Sequence, residues 1–185
     1  MKVTDSKLQG VKIIEPQVFG DSRGYFMESW QQDRYKEAGI KETFIQSNVS
    51  KSARGVLRGL HFQNPNPQGK LVYVLSGEVY DVAVDIRVGS PTFGQYEGII
   101  LSEDNHKQFY VPEGFAHGFC VLSETATFAY MCTNFYDPSA EASLLWNDKD
   151  LAIDWPLQSP SLSEKDLKAL KLKDFDINKL PQFES

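Results

Sequence analysis

Apolar and polar residues alternate with a period of two through the middle of the chain, while the 3.6-residue period of an amphipathic helix is confined to the flanks. The β-type runs cover residues 44–50, 56–63, 71–75, 78–87, 96–101, 107–111, 117–122 and 127–133. Clusters of Gly, Pro, Asn and Ser separate them at short, regular intervals, the pattern of a sandwich or jelly roll. Ser29 followed by Gln32 reads as a capping box that opens a helix through Asp33-Arg34-Tyr35-Lys36-Glu37-Ala38, and Gly39 stands where that helix should end. A second helix is expected from Ser163 through Lys171. Residues 64–69 are a loop by composition and residues 156–160 a connector, and no internal repeat is present. The predicted fold is therefore mainly β, with short flanking helices.

Ser76-Gly77, between two of these runs, reads as a two-residue hairpin turn that sets Leu75 opposite Glu78, Val72 opposite Asp81 and Lys70 opposite Ala83. On that register Lys70, Val72, Val74, Val79, Asp81, Ala83 and Asp85 share one face. Leu71, Tyr73, Leu75, Tyr80, Val82, Val84 and Ile86 share the other, which is bulky and apolar, as a packed sheet face should be. The first face mixes small residues with a lysine and two aspartates. Two arrangements fit it: an exposed face with a surface ion pair, or a lumen into which polar groups are aimed. Lys70 and Asp81 come out as diagonal neighbours, within reach of one another.

Length and charge narrow the choice of partner. With 185 residues, 41% of them hydrophobic, residues 1–185 are read as a single domain with a substantial core. A formal net charge of −6 argues against an electrostatic grip on nucleic acid or an anionic membrane, although a few local arginines suffice for a nucleotide. Met1-Lys2-Val3-Thr4-Asp5 opens no apolar run, and no later run is long enough to cross a bilayer, so the cytoplasm is the expected location. Cys120 and Cys132 sit among apolar neighbours in predicted strands and are read as buried, reduced thiols.

Candidate chemistry concentrates in Arg58-Gly59-Leu60-His61-Phe62-Gln63 and Pro112-Glu113-Gly114-Phe115-Ala116-His117-Gly118-Phe119, which carry two of the 3 histidines. The first resembles the first cupin motif with its metal ligands missing, because the paired histidines that would grip a metal read His61-Phe62-Gln63. That points away from a metal-dependent cupin dioxygenase and toward His61 as a proton-transfer group, although a lone strand histidine is also a common hydrogen-bonded core residue. No metal or redox cofactor is expected. Together with Gln68-Gly69-Lys70-Leu71-Val72, Asp81-Val82-Ala83-Val84-Asp85-Ile86-Arg87 and Leu144-Leu145-Trp146-Asn147-Asp148, the two segments resemble the dTDP-4-dehydrorhamnose 3,5-epimerases. The match runs from about residue 13 to residue 166. The resemblance implies a cupin-type jelly roll and a dTDP-4-keto-6-deoxyhexose substrate.

It also implies the reaction: inversion at C3 and C5 of dTDP-4-dehydro-6-deoxy-D-glucose, to dTDP-4-dehydro-L-rhamnose, by removing a proton beside the 4-keto group and returning one to the opposite face. His61 would be the base, paired with Asp166 in Leu162-Ser163-Glu164-Lys165-Asp166, where Asp166 is equally the third position of a capping box begun by Ser163. Lys70 would stabilise the enolate oxygen and Tyr130, in Thr127-Phe128-Ala129-Tyr130-Met131, would supply the proton. Phe19, Arg23, Phe26 and Glu28 resemble a family segment that reaches the nucleotide, often from the partner subunit, which implies a homodimer. Gln46, Asn48, Arg58, Asp81, His117, Tyr136, Glu141 and Lys165 match further ligand positions, with Tyr136 as the thymine-stacking candidate. Strict alternation puts Arg58 and His61 on opposite faces, whereas the resemblance uses both at the substrate. A bulge at Gly59 would re-aim one of them. Met131-Cys132 is more apolar than the family pattern, and residues 174–185 have little to match. The competing readings are an epimerase of one carbon, a ketoisomerase of a related pathway, and a non-catalytic sugar-nucleotide-binding cupin. Retention of His61, Lys70, Tyr130 and Asp166 together weighs against the last.

Overall fold

The computed structural model describes residues 1–183. Its strands are β1 Lys2–Asp5, β2 Lys12–Glu15, β3 Val18–Asp21, β4 Gly24–Met27, β5 Gln46–Ala53, β6 Leu57–Gln63, β7 Lys70–Ser76, β8 Glu78–Asp85, β9 Tyr96–Ser102, β10 Gln108–Val111, β11 Phe115–Val121, β12 Thr125–Cys132 and β13 Glu141–Ser143. Two short helices, α1 Gln32–Glu37 and α2 Glu164–Leu167, flank them. The strands form a 6-stranded sheet in the order β1-β2-β10-β7-β12-β5, a 5-stranded sheet in the order β13-β6-β11-β8-β9, and the separate hairpin β3-β4. This is a jelly roll of two antiparallel sheets. Each predicted run is a strand, with ends moved by at most three residues. The predicted set lacks β1 to β4 and β13, each only 3 or 4 residues long and too short to show a period.

Three apolar layers follow from the alternation. Between the sheets, Val72, Val74, Phe109 and Phe128 meet Val79, Ala83, Leu101, Phe115 and Phe119. Outside the 5-stranded sheet, Val82, Val84 and Ile86 are covered by Leu144, Leu151, Leu172 and Leu180 from the C-terminal half. Outside the 6-stranded sheet, Ile14, Leu71 and Tyr110 are covered by Tyr35 and Ile40 at α1. Among the described residues no helix is long and apolar enough to cross a membrane.

The expected hairpin at Ser76-Gly77 does not form. Strand β7 pairs with β10 and β12, whereas β8 pairs with β9 and β11, so the chain crosses from one sheet to the other at Gly77. Gly77 has φ +81°, and a Cβ there would lie 2.1 Å from the Thr125 carbonyl oxygen. Its N–H donates to Glu103 Oε1 at 2.9 Å and that of Glu78 to Ser123 Oγ at 2.8 Å, holding the crossing from both sides. Lys70 and Asp81 are therefore not diagonal neighbours: Asp81 bonds His117 and Lys70 bonds Gln68. Side-chain parity survives the error, because a two-residue crossing keeps the Val72 set and the Val79 set pointing into the same interior. Alternation fixes which face a residue takes but not which strand it pairs with.

Both helices differ from their predicted ends. Gln31, not Ser29, caps α1, accepting the Arg34 N–H on its side-chain oxygen at 2.7 Å. The Ser29 carbonyl instead takes the Tyr35 hydroxyl and the Gln108 amide. Gly39, at φ +90°, follows the helix as expected. Helix α2 begins at the Ser163 cap but stops at Leu167, because Leu170 leaves to bridge Leu144.

Strand β6 carries a bulge. His61 pairs with His117 but Arg58 with Phe119, so three steps along β6 match two along β11. The register requires glycine on both strands: Gly59 lies at φ +123°, a Cβ added to it would fall 2.6 Å from Gly118 Cα, and one added to Gly118 would fall 2.7 Å from the Arg58 carbonyl oxygen. The bulge reverses the parity and puts Arg58 and His61 on one side. Gly59→Ala is expected to destabilise the protein by about 2–4 kcal/mol, from a positive φ plus overpacking against backbone, measured by urea unfolding.

Candidate active site

The inner faces of the two sheets supply the site. On the 6-stranded sheet, Gln46, Cys132 and Lys70 lie side by side across β5, β12 and β7, followed by Asn48, Tyr130 and Val72, and then by Ser50, Phe128 and Val74. On the 5-stranded sheet, His61 lies between Ser143 and His117, and Gln63 lies beside Glu141. The cavity between them has two lobes. An outer lobe of about 340 Å³ is lined by residues that include Gln46, Asn48, Gln68, Cys132, Tyr136 and Glu141. An inner lobe of about 210 Å³ is lined by Ser50, Arg58, His117, Phe119 and Phe128. His61, Lys70 and Tyr130 line both lobes, so they stand where the lobes meet.

The His61 Nε2 atom lies 2.6 Å from Asp166 Oδ1. Asp166 also caps α2 in reverse: the Ser163 hydroxyl donates to its Oδ2 at 2.9 Å and accepts the Asp166 N–H at 3.1 Å. Burial alone would push the Asp166 carboxyl up, but His61, Ser163 and the Gly59 N–H outweigh it and hold the group below its ordinary range. A carboxylate only accepts, so the Nε2 hydrogen donates to it, and the lone pair of neutral His61 is left on Nδ1.

Lys70 stands in different surroundings. Its Nζ donates to Gln68 Oε1 at 3.2 Å and forms no ion pair among the described residues. Burial drives its pKa down, against weaker upward pulls from Cys132 and Glu141. Burial drives the Tyr130 phenol up, with Arg58 opposing. Lys70 and Tyr130 belong to neighbouring strands of one sheet and His61 to the other. Lys70 and His61 thus oppose one another across the cavity.

At the outer rim Tyr136 donates its hydroxyl to Glu141 Oε2 at 2.6 Å, and Lys165 forms an ion pair with the same oxygen. Burial would raise the Glu141 carboxyl, but Lys165 and Tyr136 hold it low. Gln46 Oε1 accepts the Tyr136 N–H at 2.9 Å. Arg58 Nε donates to Ser52 Oγ at 3.1 Å, tying β6 to β5.

Some expected site residues lie elsewhere. Asp81 is fully buried behind His117, whose Nε2 it holds at 2.8 Å, and it does not line the cavity. Burial raises the Asp81 carboxyl against the pull of His117. Phe19, Arg23 and Phe26 ride on the β3-β4 hairpin and Glu28 just beyond it, away from the cavity. Phe19 and Phe26 are 62% and 69% exposed, Arg23 pairs with Asp21, and Glu28 pairs with Arg34. Conversely, Ser50, Gln63, Gln68, Phe119, Phe128 and Cys132 line the cavity without having been assigned to it. For Ser50 the signal was present, since it shares parity with Gln46 and Asn48. Gln63, where a metal cupin has its second histidine, donates to the Asn66 and Phe135 carbonyls and accepts the Asp137 N–H, so it organises the rim. Cys120 and Cys132 are buried and free.

Comparison with known proteins places this geometry. A family model described as dTDP-4-dehydrorhamnose 3,5-epimerase matches residues 5–174. A dTDP-4-dehydrorhamnose 3,5-epimerase of Shigella flexneri is 54% identical, over 95% of this chain and 98% of that protein. The crystal structure of a dTDP-6-deoxy-D-glucose-3,5-epimerase from Legionella pneumophila Philadelphia 1, in complex with dTDP-4-keto-L-rhamnose, superposes with a TM-score of 0.97 at 53% identity, covering 100% of this chain and 99% of that one. A dTDP-4-dehydrorhamnose 3-epimerase of Streptomyces niveus is 41% identical over 99% of this chain and 90% of that protein.

The depressed Asp166 carboxyl has a sign that can be measured. A carboxyl lowered on folding stabilises the native state above its unfolded pKa, and the gain is lost as pH falls through the folded one. As pH falls below the ordinary carboxyl value of 3.8, the stability difference between wild type and Asp166→Asn should shrink. Urea unfolding of both proteins through that acid range checks this, and a difference that kept growing below that value would contradict it.

Proposed function

The chain belongs to the dTDP-4-dehydrorhamnose 3,5-epimerase family, and on that premise we propose that its cavity inverts C3 and C5 of dTDP-4-dehydro-6-deoxy-D-glucose. The observation that carries this reading is the meeting of His61, Lys70 and Tyr130 at one junction, from opposite walls. In this reading the 4-keto group acidifies the hydrogens on C3 and C5. His61 Nδ1 takes one of them, and the Asp166 carboxylate stabilises the imidazolium that forms. Lys70, buried and short of counter-charge, faces the oxygen on which the enolate charge grows, an interaction that strengthens as the proton leaves. Fixed donors of this kind contribute about 3–4 kcal/mol. Tyr130, mounted on the opposite sheet from His61, returns a proton to the other face of the ring. All three roles use acid-base chemistry of the chain itself, and none calls for a cofactor.

We assign the outer lobe to the nucleotide, with Tyr136 as the stacking surface for thymine and Gln46, Asn48, Glu141 and Lys165 around it. Arg58 and His117 would face the sugar. The exposed rings of Phe19 and Phe26, with Arg23 and Glu28, fit a homodimer in which this hairpin reaches the partner's cavity. The chain would act as one catalytic domain, in the cytoplasm, where nucleotide sugars are made.

In heavy water, wild-type protein given the dTDP-keto sugar should place solvent deuterium at both C3 and C5, read by NMR, and His61→Ala should slow both by a hundredfold or more. Label at C3 alone would favour a single-carbon epimerase, the activity named for the Streptomyces niveus relative. Turnover at full rate in the His61 variant would remove the assigned base.

Tyr130→Phe tests the acid separately. With only the His61 side able to exchange protons, recovered substrate should gain deuterium while inverted product falls by roughly a hundredfold. Undiminished inversion would assign the acid to another group.

A further inference from the structure

The inner face of β5 presents a polar row that runs into the cavity, with Gln46 opposite Cys132, Asn48 opposite Tyr130 and Ser50 opposite Phe128. The first two side chains are engaged within the protein: Gln46 with the Tyr136 N–H and Asn48, and Asn48 with Cys132 Sγ. Ser50 differs. Its Oγ is buried and has no hydrogen-bond partner among the described residues, although it lines the inner lobe. In that lobe Arg58 is bonded to Ser52, His61 to Asp166, Lys70 to Gln68 and His117 to Asp81. Among the described residues the hydroxyls of Tyr130 and Ser50 are left uncommitted, and Tyr130 has a role above. A buried hydroxyl without a partner is unfavourable by itself and becomes favourable when a ligand completes it.

The direction of the row suggests which ligand group does so, given the function proposed above. The Gln46 end is flanked by Tyr136, 54% exposed, and the Ser50 end by Phe128 and Phe119, 1% and 5% exposed. With the nucleotide at the Gln46 end, C1 of the hexose faces outward and the C3–C4–C5 edge points toward Ser50. That edge carries the C4 oxygen, which Lys70 faces, and the C6 methyl, for which the stacked rings of Phe119 and Phe128, 4.1 Å between centroids, offer an apolar surface. Its remaining polar group is the C3 hydroxyl. We propose that Ser50 determines specificity at C3, by hydrogen bonding the C3 hydroxyl and so favouring inversion there. A short side chain fixed on a strand reaches that hydroxyl in one configuration of C3 and not in the other, whereas C5 bears no hydroxyl for it to hold.

The test is Ser50→Ala beside wild type, in heavy water with the dTDP-keto sugar, following label at C3 and at C5 separately by NMR. The expected result is a roughly tenfold slower appearance of label at C3 relative to C5. The thermal midpoint should not fall, because the hydroxyl removed makes no bond among the described residues. Rates at C3 and C5 that are both unchanged, or that slow by one common factor, would overturn the assignment while leaving the epimerase reading intact. Absence of label from wild type would remove the reaction itself, and this assignment with it.

Discussion

The backbones of β6 and β11 touch at Gly59 and Gly118, and the arrangement of the cavity depends on that contact. With an added Cβ on Gly59 falling 2.6 Å from Gly118 Cα, neither strand tolerates a side chain there, and the extra residue in β6 has to be absorbed between Arg58 and His61. A regular β6 would turn one of those two side chains out of the barrel. The bulge instead aims a guanidinium and an imidazole the same way from positions three apart, and Gly59 adds its own N–H to the groups that hold Asp166 ionised. A single backbone irregularity thus orients the proposed base and helps to set the charge behind it.

His61 and Lys70 differ in their surroundings, and their proposed chemistry differs accordingly. His61 has a carboxylate at 2.6 Å, which orients the ring and compensates the charge it acquires on taking a proton. Among the described residues Lys70 has only an amide oxygen at 3.2 Å, so its charge is poorly compensated before substrate enters. A carboxylate beside Lys70 would neutralise the field that an enolate needs. The absence of a carboxylate beside His61 would make the protonated ring costly in a half-buried site. The Asp81–His117 pair beneath the inner lobe is a third case. Both members are almost wholly buried and bonded to each other, which suits Asp81 to hold His117 in place.

Much of this was legible in the chain because period-two alternation records which side of a sheet a residue faces. The set Lys70, Val72, Val74, Val79, Asp81, Ala83 was read as one face and is one interior, although the strands that carry it lie in different sheets. Partner choice was not legible. Ser76-Gly77 suits a tight turn and a sheet crossing equally well, and the difference is decided by Glu103, Ser123 and Thr125, which lie 26 residues or more along the chain. Glycine at position 59 was a usable sign of the bulge because its steric meaning is local. Asp166 beside His61 was legible only through family resemblance, since 105 residues separate them and no local pattern spans that distance. Ser50 had the parity of Gln46 and Asn48, but an isolated serine on a strand carries no signal until its neighbours are known to leave it without a partner.

The double-sheet topology also explains how so small a cavity can act on both faces of a ring. Inversion needs a proton acceptor and a donor on opposite sides of one carbon, held apart by about the thickness of the substrate. A single sheet presents its groups from one side only, whereas two packed sheets stand about 10 Å apart and oppose their inner faces. Crossing at Gly77 sends β7 and β8 to opposite walls, so Lys70 and Tyr130 approach from one side and His61 from the other. Asp166 then has to arrive behind His61 from outside the barrel. It does so on α2, whose first turn is fixed by Ser163 and whose length is cut short where Leu170 joins Leu144. The C-terminal segment that covers the outer face of the 5-stranded sheet therefore also delivers the carboxylate, which couples packing on the outside of the barrel to the proton transfer proposed within it.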